Sequence, residues 1–152
     1  MAIREIVKVP DEVLGKTSRP VEKFDARLYN LLDDMHDTLD FVDGMGLASV
    51  QIGILRRVFI VKYEDETIEC INPEFIEKTG NTVNSEGCLS IPGQYMEVNR
   101  AVRVVIRAQD RFGKEFTREA VGMLACALQH EYDHLDGIVI QDKALPPQRS
   151  EE

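Results

Sequence analysis

Apolar positions change their spacing twice along this chain. In "DARLYNLLDDMHDTLDFVDG", residues 25–44, Leu28, Leu31, Leu32, Met35 and Leu39 recur at helical spacing. Acidic residues lie mostly between them and Gly44 stops the pattern, which predicts an amphipathic helix. Strand-like runs follow as "RRVFIVKY" (56–63), "TIECINPEFI" (67–76) and "AVRVVIRAQD" (101–110), the last two running into turn-rich "KTGN" and "DRFGK". Over 117–134, "TREAVGMLACALQHEYDH" returns to helix, with Glu119 near its positive N-terminal end and Gly137 placed to end it. Its stretch from Ala120 to Leu128 is apolar on nearly every face, so this second helix is expected to be buried. Strands segregated from helices predict an α+β fold rather than a doubly wound parallel sheet.

The length of 152 residues suits one domain spanning 1–152, with a short irregular tail from about 141. No apolar run is long enough to cross a bilayer, and charge interrupts "MAIREIVKVP", so neither a span nor a signal peptide is expected and the cytoplasm is favoured. Three cysteines, an odd number, argue against a disulfide scaffold and for a reducing compartment. The net charge of −9 disfavours nucleic acid and anionic membrane, because like charges repel.

Chemistry concentrates in "LQHEYDHLDG", residues 128–137. Positions four apart share a helix face, so His130 and His134 can reach one ion, while Glu131 sits one step round, able to contact water without being a ligand. The alternative is a pair of satisfied histidines beside acidic groups, since a five-residue match is common by chance. A third histidine six residues after the second would complete one protease pattern, but that position is Ile140. A glutamate on a following helix would complete another, but only eighteen residues remain after His134 and they include Pro146 and Pro147. A third ligand must therefore come from upstream, where "SEGCLSIPG" offers Cys88. A thiolate with two imidazoles leaves an open position for water; the alternative for Cys88 is a small buried residue, the fate expected of Cys70 and of Cys126. His36 has no partner at ligand spacing and is expected on a solvated helix face. In "GMGLASVQIG", residues 44–53, the glycines read as a turn and Gln51 as a strand-edge polar residue or as a neutral donor to an oxyanion.

Taken together, "GMGLASVQ", "EGCLS" and "QHEYDH" resemble, in order, the three motifs of the peptide deformylases. These enzymes remove the formyl group from N-formylmethionyl peptides. Weaker echoes in "VPDEVLGKTSRPVEKFD" and "DDMHDTL" extend the resemblance from about Val9 to Gly137. It implies antiparallel sheets surrounding the helix that carries the histidines. It also implies one divalent ion held by Cys88, His130 and His134, natively ferrous iron, with zinc, nickel or cobalt able to occupy the site. In the implied reaction, water activated by that ion attacks the formyl carbon, and Glu131 serves as general base and then acid. Gln51 and the backbone N–H of Leu89 hold the oxyanion. An extended peptide would lie along Met45, Gly46 and Gly87, with methionine in a pocket including Met45, Cys126 and Ala127.

Three positions depart from the pattern. Ser49 replaces a second alanine and adds a hydroxyl expected near the site. Tyr95 falls where some members carry an arginine. The tail "DKALPPQRSEE" lacks the basic C-terminal helix through which many bacterial members are thought to dock on the ribosome, so only transient ribosome proximity is expected. The partners implied are formylated nascent chains. A general metallopeptidase, a formyl-peptide binder without turnover, and a protein with a structural zinc are the rival readings.

Overall fold

The computed structural model describes residues 2–146. Asp25 opens helix α1 (Ala26–Val42) by accepting the amides of Arg27 and Leu28 on Oδ1 at 3.2 and 3.4 Å. The helix ends at Asp43, in the left-handed region at φ 53°, and the Gly44 amide closes back on the Leu39 carbonyl. Leu28, Leu32, Met35 and Leu39 are buried against Leu47, Val58, Ile60 and Ile71, as their spacing predicts. Asp34 and Thr38 are buried too, because the N-terminal segment lies across them. The Ala2 amide (2.7 Å) and Arg4 Nε (2.9 Å) donate to Asp34, and the Arg4 amide donates to Thr38 Oγ1.

Seven strands follow: β1 (Gly46–Ala48), β2 (Val58–Tyr63), β3 (Glu66–Thr79), β4 (Thr82–Cys88), β5 (Ile91–Arg100), β6 (Arg103–Gln109) and β7 (Glu115–Val121). Five form an antiparallel sheet in the order β1-β2-β3-β6-β7, and β4 and β5 form a separate hairpin. Strand β3 breaks register at Asn72, which holds φ 51°. Asn72 stabilises the bulge by accepting the Val21 amide and donating to Val21 O and Gln109 Oε1, and Pro73 beside it has no N–H to pair.

The second predicted helix starts five residues late. Residues 117–121 belong to β7, whose seven residues all pair with β6, from Gln109↔Glu115 to Arg103↔Val121. Their side chains alternate between covered and exposed, Ala120 being buried, so a strand period was hidden by the helix formers Arg118, Glu119 and Ala120. Glu119 is therefore not at a helix N-terminus; it pairs with Arg103 across the sheet. Gly122, at φ +63°, turns the corner into α2 (Gly122–Leu135), donating its amide to Val102 O.

Helix α2 buries Leu124, Ala125, Leu128 and Leu135 against Ala48, Phe59, Val61 and Ile106 of the large sheet, but its first turn leaves Met123 exposed. The antiparallel strands thus enclose the helix that carries both histidines. Arg57 caps its far end, donating to Leu135 O at 3.0 Å and pairing with Asp136. There Gly137, at φ +74°, lies so close to the Gly15 backbone that a Cβ would come within 2.6 Å of it.

The segment expected to be irregular from 141 contains a one-turn helix, α3 (Ile140–Lys143). The Asp142 carboxylate accepts the Val139 amide, Ile140 packs with Leu14, Ile91 and Val98, and the Leu145 amide donates to Glu97 O. Residues 147–152 of the expected tail lie outside the described residues. No helix among the described residues is long and apolar enough to cross a membrane.

Candidate metal centre

His130 and His134 stand on successive turns of α2, and Cys88 is the last residue of β4. The ligand atoms of the three lie within 4.8 Å of one another, with Cys88 Sγ 3.5 Å from His134 Nε2. No other described residue joins this group. Burial holds His134 well below its ordinary value, and the charges of His130 and Arg100 push the same way, so the imidazole is neutral, the form that binds metal. Three convergent soft and borderline donors with one position open fit a catalytic divalent ion better than a closed structural site.

Behind His130 lies a network that the sequence reading missed. Glu86 Oε1 is 2.9 Å from His130 Nδ1, and Arg100 donates to both Glu86 oxygens at 2.7 and 2.8 Å. Arg100 also pairs with Asp133 at 2.6 Å, and Asp133 reaches Lys143 at 3.2 Å. Burial pushes the Glu86 carboxyl up, but hydrogen bonds from Arg100, His130 and Asn84 outweigh it and hold the group at about 2. An ionised Glu86 can only accept, so His130 carries a proton on Nδ1 and leaves Nε2 as the nitrogen that an ion would take. Asp133 beside the second histidine was the one visible hint; pairing it with Arg100, 33 positions away, needs the fold.

Glu131 Oε2 lies 3.9 Å from His130 Nε2, while Oε1 has no hydrogen-bond partner among the described residues. Burial pushes this carboxyl up to about 7, with Glu86 and Asp133 adding to the rise and His130 and Arg100 opposing it. Gly46 lies directly against it: a Cβ there would fall 2.6 Å from Glu131 Oε2 and 2.9 Å from its Cδ. The glycine of β1 is thus required by the carboxylate's closeness. At Gly87 a Cβ would meet the Tyr95 ring at 2.9 Å, but that ring is exposed and has room to swing aside.

Gln51 is not a strand-edge residue; it is buried in a 3-10 turn, Ser49–Ile52. Its Oε1 accepts the Ala48 amide at 2.9 Å, and its Nε2 donates to Ser90 Oγ at 3.2 Å and faces Cys88 Sγ at 3.6 Å. The Ser49 hydroxyl, expected near the site, instead lies 2.8 Å from the carbonyls of both Ile54 and Arg56, which share its one proton. His36 is half-buried rather than solvated, 2.6 Å from a Glu69 that Arg111 also grips. Cys70 is fully buried in the core, where burial pushes its thiol up.

A cavity of about 460 Å3 opens at the centre. Met45, Gly46, Gly87, Leu89, Cys126 and Ala127 form part of its wall, with Gln51, Cys88, His130 and Glu131. The hairpin shapes one rim. Its pairing jumps from Gly87↔Tyr95 to Cys88↔Ile91, which leaves Pro92, Gly93 and Gln94 as a bulge facing the cavity.

An α+β fold that presents a Cys–His–His donor set, with a buried glutamate beside it and a cavity above, has the make-up of a metal-dependent hydrolase. The comparisons narrow this class. Residues 3–150 match the family described as polypeptide deformylase. A peptide deformylase of Caldicellulosiruptor bescii is 50% identical over 145 residues, covering 95% of this chain and 87% of the relative. The crystal structure of peptide deformylase from Thermotoga maritima superposes with a TM-score of 0.94 at 36% identity, covering 96% of this chain and 100% of that one. One from Legionella pneumophila gives 0.92 at 44%, covering 95% and 88%. The chain belongs to the polypeptide deformylase family.

Proposed function

We propose that this chain, as a single catalytic domain, removes the formyl group from the N-terminal N-formylmethionine of newly made polypeptides and releases formate. One observation carries the reading: Cys88, His130 and His134 converge within 4.8 Å beside a cavity whose wall includes Cys88, His130, Glu131 and Gln51. The three would hold one divalent ion, natively iron(II), with zinc, nickel or cobalt able to replace it. Such an ion supplies Lewis acidity, polarising the formyl carbonyl and making a water acidic enough to react near neutral pH.

The side chains supply the rest. Glu131 takes the proton from the attacking water and returns it to the amine as the formyl C–N bond breaks, so formate and a free N-terminus leave together. Gln51 Nε2 and the Leu89 amide donate to the oxygen that gains charge in the tetrahedral intermediate, each such donor being worth ~10²–10³ in rate. The peptide lies extended against the backbone of Met45, Gly46 and Gly87, where main-chain hydrogen bonds tolerate varied sequence. The methionine side chain enters the apolar pocket bounded by Met45, Cys126 and Ala127. The setting is the cytoplasm, where bacterial-type translation supplies formylated nascent chains, with at most transient proximity to the ribosome.

Formate release from formyl-Met-Ala-Ser, with the ion protected from oxidation, is the test. Absence of turnover with iron(II), nickel and cobalt would sink the reading. Glu131→Gln is expected to keep one ion per chain and lose at least ~10²-fold in kcat, the usual share of a general base; loss of the ion instead would make Glu131 structural.

A further inference from the structure

The amide of Gln51 has only one orientation that the surrounding bonds permit. The Ala48 amide is a donor and nothing else, so it must face Oε1, as it does at 2.9 Å. That leaves Nε2 towards the cavity side, where its nearest oxygen acceptor is Ser90 Oγ at 3.2 Å. A serine hydroxyl could itself donate, which would also suit a flipped amide. Here it cannot, because its single proton goes to the Val7 carbonyl at 2.6 Å. Ser90 is fully buried and Gln51 is 1% exposed, so on the Ser90 side of the amide water offers no substitute.

The N-terminal segment is laced into the same place by its backbone. The Val7 amide donates to Gln51 O at 2.7 Å, and the Val9 amide donates to Ser90 O at 3.0 Å. One short stretch of extended chain therefore ties the 3-10 turn of Gln51 to the turn that carries Leu89 and Ser90.

We propose that Ser90 is a positioning residue for the reaction: held by the Val7 carbonyl, its hydroxyl can only accept, and it thereby fixes the Gln51 amide with its N–H towards the oxyanion. The inference rests on the deformylase reading above. It makes residues 7–9 the back wall of the oxyanion site although none of them lines the cavity.

The test is a double-mutant cycle on the full chain, loaded with nickel and assayed on formyl-Met-Ala-Ser. Ser90→Ala should lower kcat about 10-fold, within the ~10²–10³ that loss of a whole oxyanion donor costs. KM should stay within about twofold and the ion content should remain one per chain. In a Gln51→Ala background the same change should lower kcat less than about twofold, because Ser90 acts through the amide that is gone. Equal losses in both backgrounds, no loss beside intact Gln51, or loss of the ion would each overturn the proposal. If Ser90→Ala does not fold, Ser90→Cys, a weak acceptor of similar volume, goes through the same cycle with the same readings. Wild-type turnover is the reference: its absence sinks the deformylase reading and this inference with it, whereas equal losses sink this inference alone.

Discussion

Replacing Gly46 by alanine puts a methyl carbon where the Glu131 carboxylate lies. Its ideal position is 2.6 Å from Oε2 and 2.9 Å from both Cδ and Cγ, so a relative shift of about 0.8 Å is needed to restore ordinary contact. The backbone cannot supply it cheaply. Gly46 is paired with Val61 in the ladder, and the Lys62 amide donates to Met45 O at 2.7 Å, so a retreat of β1 breaks these bonds. Helix α2 is equally fixed by its packing on the large sheet. The side chain of Glu131 must swing, and a misplacement of ~1 Å in a catalytic group costs ~10² in rate. Gly46→Ala is therefore expected to lower kcat about 100-fold in the formate-release assay while metal analysis still finds one ion per chain, since no ligand is touched. Activity within threefold of wild type would refute the reasoning, because it would mean that the site absorbs the methyl without moving its carboxylate.

Cys88→Ala should abolish tight binding of the ion in dialysis against a weak chelator; unchanged metal content would mean that the third ligand is another residue. Ser49→Ala removes the hydroxyl that the Ile54 and Arg56 carbonyls share, although the Arg56 and Val58 amides still donate to them, and should cost about 0.5–1.5 kcal/mol in urea unfolding, with formate release as in wild type. For Glu69, burial pushes the carboxyl up, but hydrogen bonds from His36 and Arg111 and the Arg111 charge hold it down at about 2. A depressed carboxyl stabilises fully above its unfolded value of 4.5 and loses that stabilisation as pH falls towards 2. Wild type should thus lose on the order of 1–2 kcal/mol more than Glu69→Gln across that window in urea titrations, once solvent screening is allowed for; parallel curves for the two proteins would contradict the pairing.

What the sequence made legible depended on how local the signal was. Helix α1, strands β2, β3 and β6, and the ligand pair His130 and His134 are written in short periodicities, and the structure holds them where the pattern predicts. Strand β7 was misread because Arg118, Glu119 and Ala120 favour helix intrinsically, and only pairing with β6 makes them strand. The β4–β5 hairpin escaped notice because the glycine and proline near Cys88 look like loop; its ladder is set by cross-strand partners and interrupted by the bulge at 92–94. Glu86, Arg100 and Asp133 carry no mutual signal, for a buried ion-pair network joins residues from a hairpin and a helix that sequence spacing does not relate. Gln51 stood out as a candidate donor, but the bonds around its amide, from Ala48 and through Ser90 to Val7, were invisible.

That lacing of Val7 between Gln51 and Ser90 also bears on how the protein reaches its native state. The Val7 carbonyl takes its hydrogen bond from a hydroxyl 83 positions further along, and even the nearer anchor of Arg4 on Asp34 spans 30. Closing loops of this length costs entropy that no local contact repays in advance, so chains rich in such pairings fold slowly, on millisecond to second timescales. Val7 precedes its partner by most of the chain and must wait for the hairpin before it can dock. Until it does, Ser90 lacks the Val7 carbonyl that commits its proton, so docking of this segment and the ordering of the Ser90 hydroxyl belong to one step.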